Sequence, residues 1–153
     1  MTDLLIRRAV SVGTLGASLL LFGCGGGGGD SGGGSTPAAT SVDVPITVVD
    51  GLIQNANVCL DKNNNSTCES GEPSGKTDVS GKVILKVDAA DAGKYPVIAV
   101  VGTDATDADT GAVPVAFTLK APADKPSVIS PLTTLVQSAM LSKGMNSTDA
   151  ESY

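Results

Sequence analysis

The sequence predicts a mainly β domain, an antiparallel sandwich closed by one C-terminal amphipathic helix. Three observations carry this. Short apolar stretches alternate with polar residues at period two, turn signals fall between them, and one helical period follows a Ser-Pro start. Val42, Val44, Ile46 and Val48 alternate with Asp43, Pro45 and Thr47, a half-buried strand in which Pro45 predicts an edge or a bulge. Asp50-Gly51 is a turn, and Ala56 to Leu60 form a second strand. Thr77-Asp78-Val79-Ser80-Gly81 turns again before Val83, Leu85 and Val87. The continuous apolar run Val97 to Val101 predicts a strand buried on both faces. After an acidic loop, Val113, Val115, Phe117 and Leu119 alternate in another strand. Few aromatics are available, so the predicted core is Val, Ile, Leu and Ala around Tyr95 and Phe117.

The helix is predicted over about 131–143. Ser130 is the N-cap, Pro131 the first position and Gly144 the stop. Leu132, Leu135, Val136, Ala139 and Met140 share one face and want a partner, either this sandwich or further sequence downstream. Thr148-Asp149-Ala150-Glu151 has the form of a capping box for a further helix.

The opening residues give an address. Arg7 and Arg8 precede an apolar run from about Ala9 to Phe22, shorter than the roughly 20 residues that span a bilayer. Leu21-Phe22-Gly23-Cys24 resembles the lipobox of bacterial lipoproteins, with Phe22 departing from the usual pattern. That resemblance implies a signal peptide over 1–23, cleavage before Cys24, acyl chains (palmitate among them) on its thiol, and residence at the outer membrane. Residues 24–40 are Gly, Ser, Ala and Thr almost throughout and read as a flexible tether. The folded parts are then the β domain over 41–121 and a linker with the helix over 122–153, which in the rival reading begins a larger downstream region.

Composition excludes several functions. The sequence has no histidine, which removes Ser-His-Asp and Cys-His catalysis and histidine zinc sites. No carboxylate pair stands out as an acid and base, and the expectation is that the chain is not an enzyme. Net charge is −6, and −7 once Arg7, Arg8 and Asp3 leave with residues 1–23, which disfavours nucleic acid. An exported acidic domain fits a cation better.

Asp61 to Glu72 is the candidate site. Counted from Asp61, side-chain oxygens of Asp61, Asn63, Asn65, Glu69 and Glu72 stand at positions 1, 3, 5, 9 and 12, with Thr67 at the carbonyl position 7. That is the ligand order of an EF-hand calcium loop, although Ser66 replaces the usual glycine. Strand residues precede the loop and Pro73 follows it, so it would decorate a β domain. Calcium of weak extracellular grade is one reading, and an Asn-rich turn that binds nothing is the other. Cys59 and Cys68 bracket a stretch of ten residues, the second of them within the loop, and outside the cytoplasm they are expected to pair; a thiolate metal site lacks soft ligands. Asp104, Asp107 and Asp109 form a second acidic stretch, read as a solvated hairpin loop.

Gly51-x-Ile53-x-x-Ala56-x-Val58-x-Leu60 followed by Thr77-Asp78-x-x-Gly81-x-Val83-x-Leu85 resembles the carboxypeptidase regulatory-like, or transthyretin-like, domains and the B-type repeats of Gram-positive adhesins. The resemblance covers roughly residues 42–87. It implies an Ig-like or transthyretin-like sandwich with a structural or surface-binding role and an unidentified glycan or protein ligand. Ile129 to Val136 resembles a segment following such modules in larger bacterial surface lipoproteins. The rival expectation is therefore a non-catalytic accessory or N-terminal fragment of a larger envelope enzyme or transport assembly. A reading frame running on past Tyr153 would favour it.

Overall fold

The computed structural model describes residues 40–153. The expected signal peptide, tether and Cys24 lipidation site lie outside the described residues, Thr40 excepted. Strand β1 (Ser41–Val48) is followed by β2 (Ile53–Gln54), β3 (Asn57–Leu60), β4 (Ser74–Lys76) and β5 (Lys82–Asp88). Then come β6 (Val97–Val101), β7 (Thr106–Asp107), β8 (Gly111–Ala112), β9 (Phe117–Ala121) and β10 (Val128–Ile129). Helices α1 (Pro131–Lys143) and α2 (Ser147–Glu151) end the chain.

The strands form three sheets in the orders β10-β1-β5, β4-β3-β6-β9 and β2-β7-β8. All pairings are antiparallel except β10 on β1, which is parallel and departs from the all-antiparallel expectation. The fold is β-sandwich-like. Ile46, Val48, Leu85 and Val87 from one sheet meet Val58, Leu60, Val97, Ala99, Leu119 and Ala121 from the other in a single core. The sheets approach closely at Gly75, where a side chain would meet the Val83 methyl at 2.8 Å. Tyr95 and Phe117 are only half-buried and pack at the margin of this core, so aliphatic burial carries it.

β1 is a central strand, contrary to the edge placement that Pro45 suggests. The amides of Thr47 and Val49 donate to the carbonyls of Ser127 and Ile129 on the β10 side. Pro45 faces the same side, beyond the two-residue reach of β10, so its missing N–H costs no ladder bond. β6 lies between β3 and β9 with Val97, Ile98, Ala99 and Val101 buried, as its unbroken apolar run requires.

The two crossings between the main sheets meet at Thr77. Its buried hydroxyl donates to Ile53 O at 2.6 Å and accepts from Ala56 N at 2.9 Å. Its backbone exchanges bonds with Asn55 and Ala56. Asp78 Oδ1 then accepts from Ser80 N and Lys82 N. Gly81 adopts φ +68°, where a side chain would meet Val48 O at 2.8 Å.

α1 runs over the expected residues, with a Ser130–Thr133 capping box and Gly144 in the left-handed region. Its buried face differs from the expected one. Val136 and Gln137 are buried, while Leu132 and Leu135 remain 70 and 67% exposed. The cause is the free edge of β9. Thr133 Oγ1 donates to Lys120 O at 2.7 Å, and Thr134 Oγ1 accepts from Lys120 N at 2.8 Å. The threonines, rather than the leucines, turn toward the sheet. The expected capping box at Thr148 is replaced by Asn146, whose side chain accepts from Asp149 N and caps α2.

Thr77→Val should destabilise the domain by about 2 kcal/mol, because Ile53 O and Ala56 N lose their partner in a dry place. Thr77→Ser keeps the hydroxyl and should cost less. Urea unfolding followed by circular dichroism measures both, and a Thr77→Val midpoint equal to wild type contradicts this role.

Candidate functional site: an oxygen-rich loop closed by a disulfide

The loop leaves β3 at Leu60 and returns to β4 at Ser74. Cys59 at its root is buried and bonded to Cys68, with Cα atoms 5.6 Å apart. Leu60 N donates to Pro73 O, so the ends of the loop are pinned beside one another.

Asp61 organises the interior. It is 2% exposed, and its two carboxylate oxygens accept from Asn65 N at 3.0 Å and Ser66 N at 2.9 Å. Asn63 Oδ1 accepts from the same Asn65 amide at 3.1 Å. Asn65 Oδ1 accepts from Thr67 N at 2.8 Å. Side-chain oxygens at alternate positions thus satisfy amides that the tight winding leaves without carbonyl partners. Asn64 and Ser66 take φ +58° and +64°. Ser66 accordingly meets the left-handed turn expected of a glycine, at a cost of about 1 kcal/mol.

The acidic pair closes the rim. Glu72 Oε1 accepts from Lys62 N and Glu72 Oε2 from Glu69 N, so one half-buried carboxylate bridges both limbs. Glu69 Oε2 accepts from Asn63 Nδ2 at 2.8 Å. Asp61, Asn63, Asn65, Thr67, Glu69 and Glu72 therefore belong to one hydrogen-bonded unit.

Two contacts anchor the loop to the domain. Lys62 Nζ lies 2.6 Å from Asp91 Oδ2, and this hydrogen bond raises the Lys62 pKa above its ordinary value. Lys120 Nζ donates to Ser66 Oγ at 2.5 Å. Lys120 stands 54 positions away, and no local pattern in the sequence points to it.

The donor set fits a hard cation. Every polar side-chain group of the six residues has an oxygen, and both neighbouring thiols are consumed by the disulfide. Each carboxylate oxygen keeps lone-pair capacity beyond the amide it already accepts. Among the described residues, no three His, Cys, Asp or Glu side chains gather closely enough to hold a metal by themselves. A cation here depends on asparagine and carbonyl oxygens as well as acids.

The second acidic stretch has structural partners. Asp104 accepts from Asn55 and Lys76, and the hydrogen bond from Lys76 holds its carboxyl below the usual carboxylate range. Asp107 is buried and accepts from Asp109 N and Thr110 N, which corrects the solvated reading for that residue.

The chain matches no family model, no curated protein and no solved structure.

Replacing Cys59 and Cys68 together by serine should lower stability by about 2.5 kcal/mol, the chain-entropy estimate for so short a closed loop. Urea unfolding of the double variant beside wild type, both under non-reducing conditions, reads this directly. An unchanged midpoint means that the hydrogen bonds alone hold the loop.

Proposed function

We propose that this chain is a lipid-anchored module of the bacterial cell envelope, an outer-membrane lipoprotein whose β domain is stabilised by calcium and has a structural or surface-binding role. The observation that supports it best is the disulfide closing an oxygen-rich loop around a buried carboxylate. A pair of this kind suits an oxidising compartment, in agreement with the lipobox-like Leu21-Phe22-Gly23-Cys24. Asp61, Asn63, Asn65, Glu69 and Glu72, with the Thr67 carbonyl, would hold the ion. The ion would add positive charge where three acids and two asparagines crowd together, and calcium is available outside the cytoplasm. The finer assignment to an Ig-like or transthyretin-like sandwich rests on the Gly51 to Leu60 and Thr77 to Leu85 motifs. The binding partner in this reading is the membrane, through Cys24, with a surface glycan or protein as ligand.

Palmitate fed to expressing cells should label the protein and place it in the membrane fraction, and Cys24→Ser should abolish both. Labelling that persists in the variant contradicts the lipid anchor. Calcium is tested apart from the anchor. At a dissociation constant near 10⁻⁴ M, millimolar calcium should stabilise the native state by about 2 kcal/mol and raise the melting temperature by several degrees relative to EDTA. Glu72→Gln lowers the starting stability by weakening the clasp on Lys62 N and Glu69 N, so the increment between EDTA and calcium is the quantity to compare. An increment of zero in wild type removes calcium from the proposal.

A further inference from the structure

The outer strand of the β10-β1-β5 sheet has an unused edge. β5 pairs with β1 alone, in the register Val42 to Val87, Val44 to Leu85 and Ile46 to Val83. Val48 N bonds Gly81 O, and Ala89 N bonds Thr40 O. Antiparallel alternation then directs the amides and carbonyls of Val83, Leu85 and Val87 to β1, and those of Lys82, Ile84, Lys86 and Asp88 outward. Two of these four are taken up at the ends of the strand. The N–H and C=O of Lys82 both bond Asp78, and Asp88 O accepts from Asp91 N and Ala92 N. The N–H and C=O of Ile84 and Lys86 meet no partner among the described residues. Ile84 stands 62% exposed on the outer face of the sheet, between Lys82 and Lys86.

We propose that this edge pairs with the same edge of a second copy of the chain, antiparallel about a two-fold axis at Leu85. The charges select both the partner and the register. Only even-numbered residues carry outward bonding groups, so only even offsets are available. With Ile84 opposite Ile84 of the second copy, Lys86 faces Lys82. With Lys86 opposite Lys86, like charges meet directly. Centred on Leu85, Ile84 and Lys86 pair across the axis and exchange two hydrogen bonds at each of the two symmetric positions. At both ends the Lys82 ammonium then lies within side-chain reach of the Asp88 carboxylate of the second copy, while the Lys82 backbone stays bonded to Asp78. On the inner face Val83 meets Val87, and Leu85 meets Leu85, so the apolar rows continue across the junction. The same residue patch serves both copies, as a closed two-fold contact requires.

Lysines on an edge strand ordinarily discourage pairing with other chains. Here they reject the two neighbouring offsets and favour the one between them. The result is a single sheet continuous through both copies. The interface rests on few hydrogen bonds and predicts a weak dimer, favoured where anchoring to one surface raises local concentration.

Zero-length carbodiimide cross-linking of the full chain in detergent, followed by mass spectrometry, tests the register. Lys82 and Asp88 within one strand are about 20 Å apart, too far to join, so a Lys82–Asp88 link must connect two copies. The expected result is that link in the dimer band. Ile84→Pro removes an outward N–H that β1 does not use, leaving the fold intact and the circular dichroism unchanged. It should weaken dimerisation by roughly tenfold or more in sedimentation equilibrium. Lys82→Asp should also weaken it, and Lys82→Asp with Asp88→Lys should restore it. A chain that stays monomeric across the concentration series overturns the proposal. So does a dimer lacking the Lys82–Asp88 link, one that Ile84→Pro leaves unchanged, or a charge reversal that restores nothing.

Discussion

The rest of this fold depends on the junction at Thr77 to Gly81, where the chain passes from one main sheet to the other. The passage from β1 toward β3 and the passage from β4 to β5 cross here, and each supplies what the other lacks. Thr77 gives its hydroxyl to Ile53 O and Ala56 N, and Gly81 gives its carbonyl to Val48 N. Crossings of this kind are where backbone groups leave their ladders, and a buried amide or carbonyl without a partner costs about 1–3 kcal/mol. A single short polar side chain with both a donor and an acceptor answers two of them. That explains why the motif reads Thr-Asp-x-x-Gly. Threonine satisfies the crossing, aspartate winds the turn, and glycine fits beneath the Val48 carbonyl.

A second knot forms at Lys120 and ties three regions together. Its backbone holds α1 through Thr133 and Thr134, and its side chain holds the candidate loop through Ser66. The loop, the last strand of the larger sheet and the helix therefore meet at one residue. On the other side of the loop, Lys62 joins Asp91 in the β5–β6 connection. The two lysines hold the loop through Asp91 and the Ser66 hydroxyl. Exposed pairs of this sort contribute little to stability, and their effect here is to place the loop.

Much of the fold was legible because period two and the turn residues are local signals. β1, β3, β5 and β6 lie close to where the alternation and the apolar run put them, while β9 begins only at Phe117 and leaves Val113 and Val115 outside it; Ser130, Pro131 and Gly144 bound α1 as their backbone preferences demand. The disulfide followed from two cysteines about one loop. What escaped depends on partners distant in the chain. β10 is too short to carry a period, and its parallel pairing with β1 is visible only in space. The pairing of β2, β7 and β8 into a sheet of their own rests on two-residue strands. In the candidate site, the spacing from Asp61 to Glu72 identified oxygen donors. The local bonding of an Asn-rich turn was the other reading of the same residues, and the loop's amides do meet those oxygens; nothing in the spacing revealed that Lys120 anchors position 66.

The roll of α1 shows why hydrophobic spacing alone misplaces a helix. Bringing Leu132 and Leu135 fully inside would contribute about 1–2 kcal/mol each at their present exposure. Turning them inward would pull Thr133 and Thr134 from Lys120, leaving an amide and a carbonyl at the end of an otherwise covered strand. Two such groups cost about as much as the two leucines return. The balance is then tipped by Ser130, which caps the helix and also bridges to Lys120, so the first turn is held in one rotational phase against the sheet. The chosen phase has its own cost, since it carries Gln137 inward and leaves its Oε1 buried with no partner among the described residues. A helix whose first turn is fastened to a sheet edge by hydroxyls cannot also choose its apolar face freely, so the leucines remain where a further surface could cover them.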